Sequence, residues 1–185
     1  MIRDFLGTLG PLVERYRTEL GEPGERLALL RWQIAAGHAL DDRRTMPGHV
    51  TTSAFVVSPD LSQVLLIHHR TIGRWLQPGG HYEPADSFAA SAAREAVEET
   101  AVQGLRLHSW HAGGDLPLVI DSHEVPGKAA RREVDHYHHD LQYLFIADPD
   151  RPLVAQEDEV FGARWFALDA LADISPRGLA RIRRF

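Results

Sequence analysis

Residues 80–102 read Gly-His-Tyr-Glu-Pro-Ala-Asp-Ser-Phe-Ala-Ala-Ser-Ala-Ala-Arg-Glu-Ala-Val-Glu-Glu-Thr-Ala-Val. The spacing predicts a helix that carries Glu95, Glu98 and Glu99 at i, i+3 and i+4, and so on one face. Carboxylates crowded in this way repel one another and raise one another's pKa, which costs stability unless cations neutralise them. Phe88, Ala89, Ala92, Ala93, Ala96 and Val97 supply an opposite face of small apolar side chains, suited to close packing on a sheet. Asp86 and Ser87 offer capping side chains at the start. Upstream, Trp75-Leu76-Gln77-Pro78-Gly79-Gly80 reads as a strand ending in a Gly-Gly turn, where backbone can approach a ligand closely.

The stretch closely resembles the Nudix box of the MutT-like Nudix hydrolases: Gly, five residues, Glu, seven residues, Arg-Glu, an apolar residue, any residue, Glu-Glu, any residue, Gly and an apolar residue. Gly80, Arg94, Glu95, Ala96, Glu98, Glu99 and Val102 match in register. Two positions depart, Asp86 for the usual Glu and Ala101 for the usual Gly. Ala101 bears on how the helix ends, because a left-handed terminal residue suits Gly and costs Ala. The resemblance implies an α/β/α sandwich with a mixed sheet and a metal-dependent hydrolase that cleaves a diphosphate linkage, with Mg²⁺ or Mn²⁺ as cofactor. It further implies that Glu98 and Glu99 ligate metal, that Glu95 ligates or serves as base, and that the Gly79 carbonyl adds a ligand. Arg94 would pair with Asp86 and hold loop and helix together. A later loop often adds a carboxylate; Gln156-Glu-Asp-Glu-Val160, ahead of Arg164-Trp165-Phe166, resembles it, with Glu159 the first choice and Glu157 the second.

Outward from the box, a chain of 185 residues suits one domain with an added segment. Helical spacing of Phe5, Leu6, Leu9, Leu12, Val13, Tyr16 and Leu20, a break at residues 21–24 and a second helix over about 25–40 define an N-terminal helical extension. The expected division is 1–44 for the extension and 45–185 for the Nudix domain. The extension covers the sheet or builds a homodimer interface. Strands are expected at 50–57 and 63–67 around a Pro59-Asp60 turn, then near 104–111, 116–121, 140–147 and 160–166, with a short helix at 168–174.

Composition narrows the function classes. Cysteine is absent, which excludes disulfides, thiol nucleophiles and Cys-ligated zinc. A net charge of −6 does not favour nucleic-acid binding through phosphate neutralisation. No apolar run reaches membrane-spanning length and the N-terminus lacks a secretory signal pattern, so a cytoplasmic protein acting on a small-molecule phosphoanhydride is expected. Arg177, Arg181, Arg183 and Arg184 read as a solvated helix face, with a dimer or phosphate contact as the other readings.

Eleven histidines are the unusual feature of the composition. Alternation along an extended segment puts His136, His138 and Asp140 on one face, which could bind a transition metal or line a substrate cleft. A similar pattern in a His-rich group of Nudix proteins implies cleft lining, with His81, His138 and Asp140 contacting substrate. Pro117, 15 residues beyond the box, resembles a position that marks ADP-ribose hydrolases. A nucleoside diphosphate linked to a second group therefore ranks above a nucleoside triphosphate as substrate. The alternative is a Nudix-fold module that binds such a ligand without turnover, although such modules would be expected to lose glutamates that this chain keeps.

Overall fold

The computed structural model describes residues 1–127, 134–156, 158 and 160–185. The expected first helix is α1 (Phe5–Glu19), and the second begins as a 3-10 turn (Gly24–Leu27) before becoming α2 (Ala28–Ala35). Eight strands follow: β1 (Gly48–Val57), β2 (Gln63–His69), β3 (Arg74–Leu76), β4 (Gly79–His81), β5 (Arg106–Leu107), β6 (Val119–Val125), β7 (His136–Ile146) and β8 (Val160–Ala167). The box helix is α3 (Phe88–Thr100), and α4 (Pro176–Ile182) lies near the C-terminus.

The strands form one mixed sheet. β1 is buried along its whole length and runs parallel to β7, from Gly48 opposite Tyr137 to Val57 opposite Ile146. Its other edge is shared by two antiparallel partners, β2 at Val56–Val57 and β4 at Thr51–Ser53. β6 pairs with the first half of β7, β5 with its end, and β8 with β2. Side-chain alternation along β1 then sorts the two layers. Val50, Ala54 and Val56 pack with Phe88, Ala92 and Ala96 of α3 and with Leu9, Leu12 and Tyr16 of α1. Phe55 and Val57 face Leu168, Leu171, Leu179 and Ile182, from a 3-10 turn at Leu168–Asp173 and from α4. The result is the α/β/α sandwich expected from the sequence, with α1 joining the same core as α3.

Several boundaries differ from expectation, each for a local reason. The strand expected at 104–111 stops at Leu107, because His108 turns the chain by accepting the Trp110 N–H on its own ring nitrogen. Val97, assigned to the apolar face of α3, is 44% exposed, whereas Glu95 and Glu99 are buried. The buried side of α3 is thus rotated toward the glutamates, and the ridge Ser91-Glu95-Glu99 lies on the sheet. Among the described residues no helix is long and apolar enough to cross a membrane.

The arginines of α4 divide into two kinds. Arg183 pairs with exposed Asp169, but Arg177 and Arg181 turn inward and both bond the buried carboxylate of Glu22, at 2.7 and 2.8 Å. Arg181 also donates to the Tyr16 hydroxyl and the Leu118 carbonyl, and Arg177 to Asp121 and the Ile120 carbonyl. These contacts tie the segment between α1 and the 3-10 turn at Gly24 to α4 across the β6 edge. The solvated helix face therefore does not hold for Arg177 and Arg181, because α4 packs with that side toward Glu22.

Two predictions follow from backbone and charge. Ser87 caps α3 by accepting the Ala90 N–H, and the helix ends at Ala101 with φ 51° and ψ 27°, so the left-handed closure that suits Gly is kept here by Ala rather than replaced by a different turn. That conformation costs a residue with a Cβ roughly 1–2 kcal/mol that Gly does not incur. Part of the gain is lost to the freer unfolded chain, so Ala101→Gly is expected to raise the thermal midpoint by about 2–4 °C, read by calorimetry. Replacing Glu22 leaves two inward-facing arginines without their shared partner. Glu22→Ala is expected to lose roughly 3–5 kcal/mol in denaturant unfolding, while Asp169→Ala, at an exposed pair, changes little.

Candidate functional site

The carboxylates of the box reach the sheet where it has no side chains. β4 is Gly79-Gly80-His81, and a Cβ on Gly80 would lie 2.6 Å from Glu95 Oε2. On the other face, a Cβ on Gly79 would lie 2.4 Å from the Ser53 Cβ. Only glycine permits both approaches. The Gly79 N–H donates to Glu99 Oε2 at 3.0 Å, and the Ser91 and Thr52 hydroxyls are 2.9 Å apart. Glu95 and Glu99 are therefore fixed against backbone, while Glu98, one turn out, stays exposed.

Arg94 gathers the cluster. Its Nη2 donates to Glu95 Oε1 at 2.6 Å, and its Nη1 donates to Glu98 Oε2 at 2.6 Å and lies 3.4 Å from Glu83 Oε2. The expected pairing with Asp86 does not occur. Asp86 is exposed and pairs instead with the Met1 ammonium, which the Ile2 N–H to Ala85 carbonyl bond holds alongside. Glu83 supplies the loop carboxylate that the shorter Asp86 does not. Burial pushes Glu95 up to about 7; Arg94 opposes the rise, and the Glu98 and Glu83 charges add to it.

These residues fit a hard divalent cation. The donor set is carboxylate oxygen, the chemistry Mg²⁺ and Mn²⁺ prefer, and one member is a buried carboxylate that a single shared guanidinium does not hold in the usual acidic range. The Gly79-Gly80 cradle would be closed by any Cβ.

A second constellation occupies the opposite face of the sheet. His49, Thr51 and Ser53 of β1 stand beside His138, Asp140 and Gln142 of β7, with His123 and Asp121 of β6 next in register. His81 pairs with Thr51 and points to this face, because Gly80 beside it faces α3. Asp140 is buried and accepts from Thr51 Oγ1 (3.1 Å), Ser53 Oγ (2.7 Å) and Gln142 Nε2 (2.9 Å), while burial raises its pKa. Around it the imidazoles touch: His49 stacks on His81 and on His136, each with ring centroids 5.1 Å apart, and lies 4.9 Å from His138.

Of the residues expected to meet substrate, His81 and His138 are brought together, Asp140 is enclosed beneath them, and Pro117 is buried in the loop leading into β6. Glu157 and Glu159 lie outside the described residues. Two residues gained a role that sequence reading missed. Asp115 caps α3 from a distant loop, accepting the Phe88 N–H at 2.9 Å and the Ala89 N–H at 3.2 Å. His49, a lone histidine before a strand, joins the imidazole cluster only through the parallel pairing of β1 with β7.

The NUDIX domain family model matches residues 47–185. Among solved structures, a C. elegans Ap4A hydrolase in a binary complex is similar with a TM-score of 0.52 at 18% identity, covering 74% of this chain and 93% of that one. The E. coli dihydroneopterin triphosphate pyrophosphohydrolase gives 0.52 at 17% identity, with the same coverage of 74% and 93%. At these identities the likeness is one of fold. The family match spans β1 through α4, including the Gly79-Gly80 turn, Arg94 and all three glutamates of α3, and by it the chain belongs to the NUDIX domain family.

Proposed function

We propose that the protein is a hydrolase dependent on Mg²⁺ or Mn²⁺ that cleaves a diphosphate linkage in a nucleoside diphosphate derivative or related compound. The observation that carries this reading is the approach of Glu95 and Glu99 to the Gly79-Gly80 backbone, with Glu98 beside them at the surface. A divalent cation held at this cluster would supply positive charge against the anhydride oxygens and lower the pKa of bound water, making hydroxide available as nucleophile. Glu98, Glu99 and the Gly79 carbonyl would hold it, with Glu95 as added ligand or as base.

Arg94 positions the cluster. By pairing with Glu95 and Glu98 at once it limits how far the two carboxylates swing apart. The two similar structures named for their substrates both act on molecules with a phosphoanhydride chain, which favours that class here. On sequence position, six residues before Trp165, Glu159 is proposed as a further catalytic carboxylate. Retention of Glu95, Glu98 and Glu99 weighs against a module that binds without turnover.

Phosphate release across a panel of nucleoside diphosphate derivatives tests the reading. Turnover is expected with Mg²⁺ or Mn²⁺ and is lost in excess chelator. Glu98→Gln and Glu99→Gln are each expected to lower kcat at least about 100-fold, the scale of several kcal/mol of charge stabilisation. Glu159→Gln should reduce kcat far more than it raises KM, with Glu157→Gln as the matched control. Inactivity of the intact protein across the panel, despite tight metal and nucleotide binding, favours the module.

The burial of Glu95 has a separate readout in protein stripped of metal. Its folded pKa of about 7 exceeds the ordinary 4.5, so folding favours the protonated form. That contribution is complete below pH of about 4.5 and is lost as pH rises through about 7. In chelator, the stability of Glu95→Gln relative to the parent should therefore grow across this window, measured by urea midpoints.

A further inference from the structure

We propose that His49, His81 and His138 form a binding site for a divalent transition metal of the zinc class, separate from the carboxylate cluster of α3. The three side chains come from β1, β4 and β7 and each presents one ligand atom, all within 4.8 Å of one another. Among the described residues this is the one group of three metal-binding side chains so placed.

The nitrogen chemistry favours a cation over other occupants. His49 Nδ1 faces the Thr45 carbonyl at 3.5 Å, which puts the ring proton on that side and leaves a lone pair on Nε2. That Nε2 is buried and has no hydrogen-bond partner, while the whole residue is 1% exposed. An orphaned buried acceptor is costly, and a carbonyl bond on the opposite nitrogen is the arrangement that orients metal-ligating histidines. His136 repeats it, with Nδ1 on the Val134 carbonyl at 2.8 Å and Nε2 3.2 Å from His138 Nε2. With its proton on Nδ1, His136 accepts at Nε2 from His138 Nε2–H, which leaves the His138 lone pair on Nδ1. His136 thus stands beside the site and orients the His138 ring, and the fourth position is open to water or to a phosphate oxygen.

Anion binding by protonated imidazoles fits less well. Protonated rings with centroids 4.9–5.3 Å apart would repel one another, and His49 is almost wholly buried, so these rings pack as neutral imidazoles. Neutral imidazoles offer lone pairs and little attraction for phosphate. Imidazole also selects zinc, copper and nickel over Mg²⁺, whereas the oxygen donors on α3 have the opposite preference. The two faces of β4 would then sort two cations, Gly80 standing against the glutamates and His81 among the imidazoles.

The test uses the full chain stripped of metal and dialysed against Zn²⁺ in excess Mg²⁺, with zinc counted by elemental analysis and Co²⁺ as the optical probe. One zinc per chain is expected, with intense visible cobalt bands of a nitrogen-ligated tetrahedral site and a rise in thermal midpoint on zinc addition. His81→Ala, at a half-buried strand end, should lose all three signals while its circular dichroism matches the parent, and His138→Ala should do the same. The double variant Glu98→Gln, Glu99→Gln should keep them. Zinc binding that survives both histidine variants, or that disappears from the glutamate variant, overturns the proposal. So does the absence of zinc from the parent chain.

Discussion

Contact between α3 and β4 at hydrogen-atom range is the constraint on which the rest of the molecule is arranged. Gly80 leaves no side chain between helix and strand, so the Glu95 carboxylate rests on it, while Glu99 accepts the Gly79 N–H. A helix that close must otherwise present small groups, and Ser91, Ala92 and Ala96 do so. Its N-terminus must also be anchored, which Ser87 does locally and Asp115 does from the loop before β6. The same pair of glycines fixes the side on which the next residue emerges, and so places His81 on the face away from the glutamates.

What could be read in the chain divides along the range of the interactions involved. Strand alternation and the helix of the box are local properties, and residues a few positions apart report them. The fold followed, including the mixed sheet and α1. Partners set by tertiary approach were not legible. Arg94 binds Glu95, Glu98 and Glu83 while Asp86 meets the Met1 ammonium, and no spacing within the box records these approaches.

The histidines show the same limit from the other side. Alternation in β7 correctly grouped His136, His138 and Asp140 on one face. It did not reveal that Asp140 would be consumed by Thr51, Ser53 and Gln142, nor that His49 would enter from 89 residues away in sequence through strand pairing. A parallel pair of strands joins distant segments without a turn to announce it. The carboxylate site, written within one helix, was therefore readable as a motif, whereas the imidazole cluster, written across four strands, was readable only as an excess of one residue type.

The Glu22 network has a consequence for how the chain is made. Two of the three guanidiniums that meet this carboxylate lie 155 and 159 residues further along the chain, whereas Arg26, at 3.7 Å, is four residues away. A ribosome exposes α1 and the residues after it long before α4 exists, so the growing polypeptide holds an acidic group destined for burial with only the exposed Arg26 as counter-charge. The full network closes only once residue 181 has left the exit tunnel. Final docking of the N-terminal helices is in this way deferred until after most of the sheet has been translated, and a nascent chain stalled before α4 would leave that carboxylate facing water.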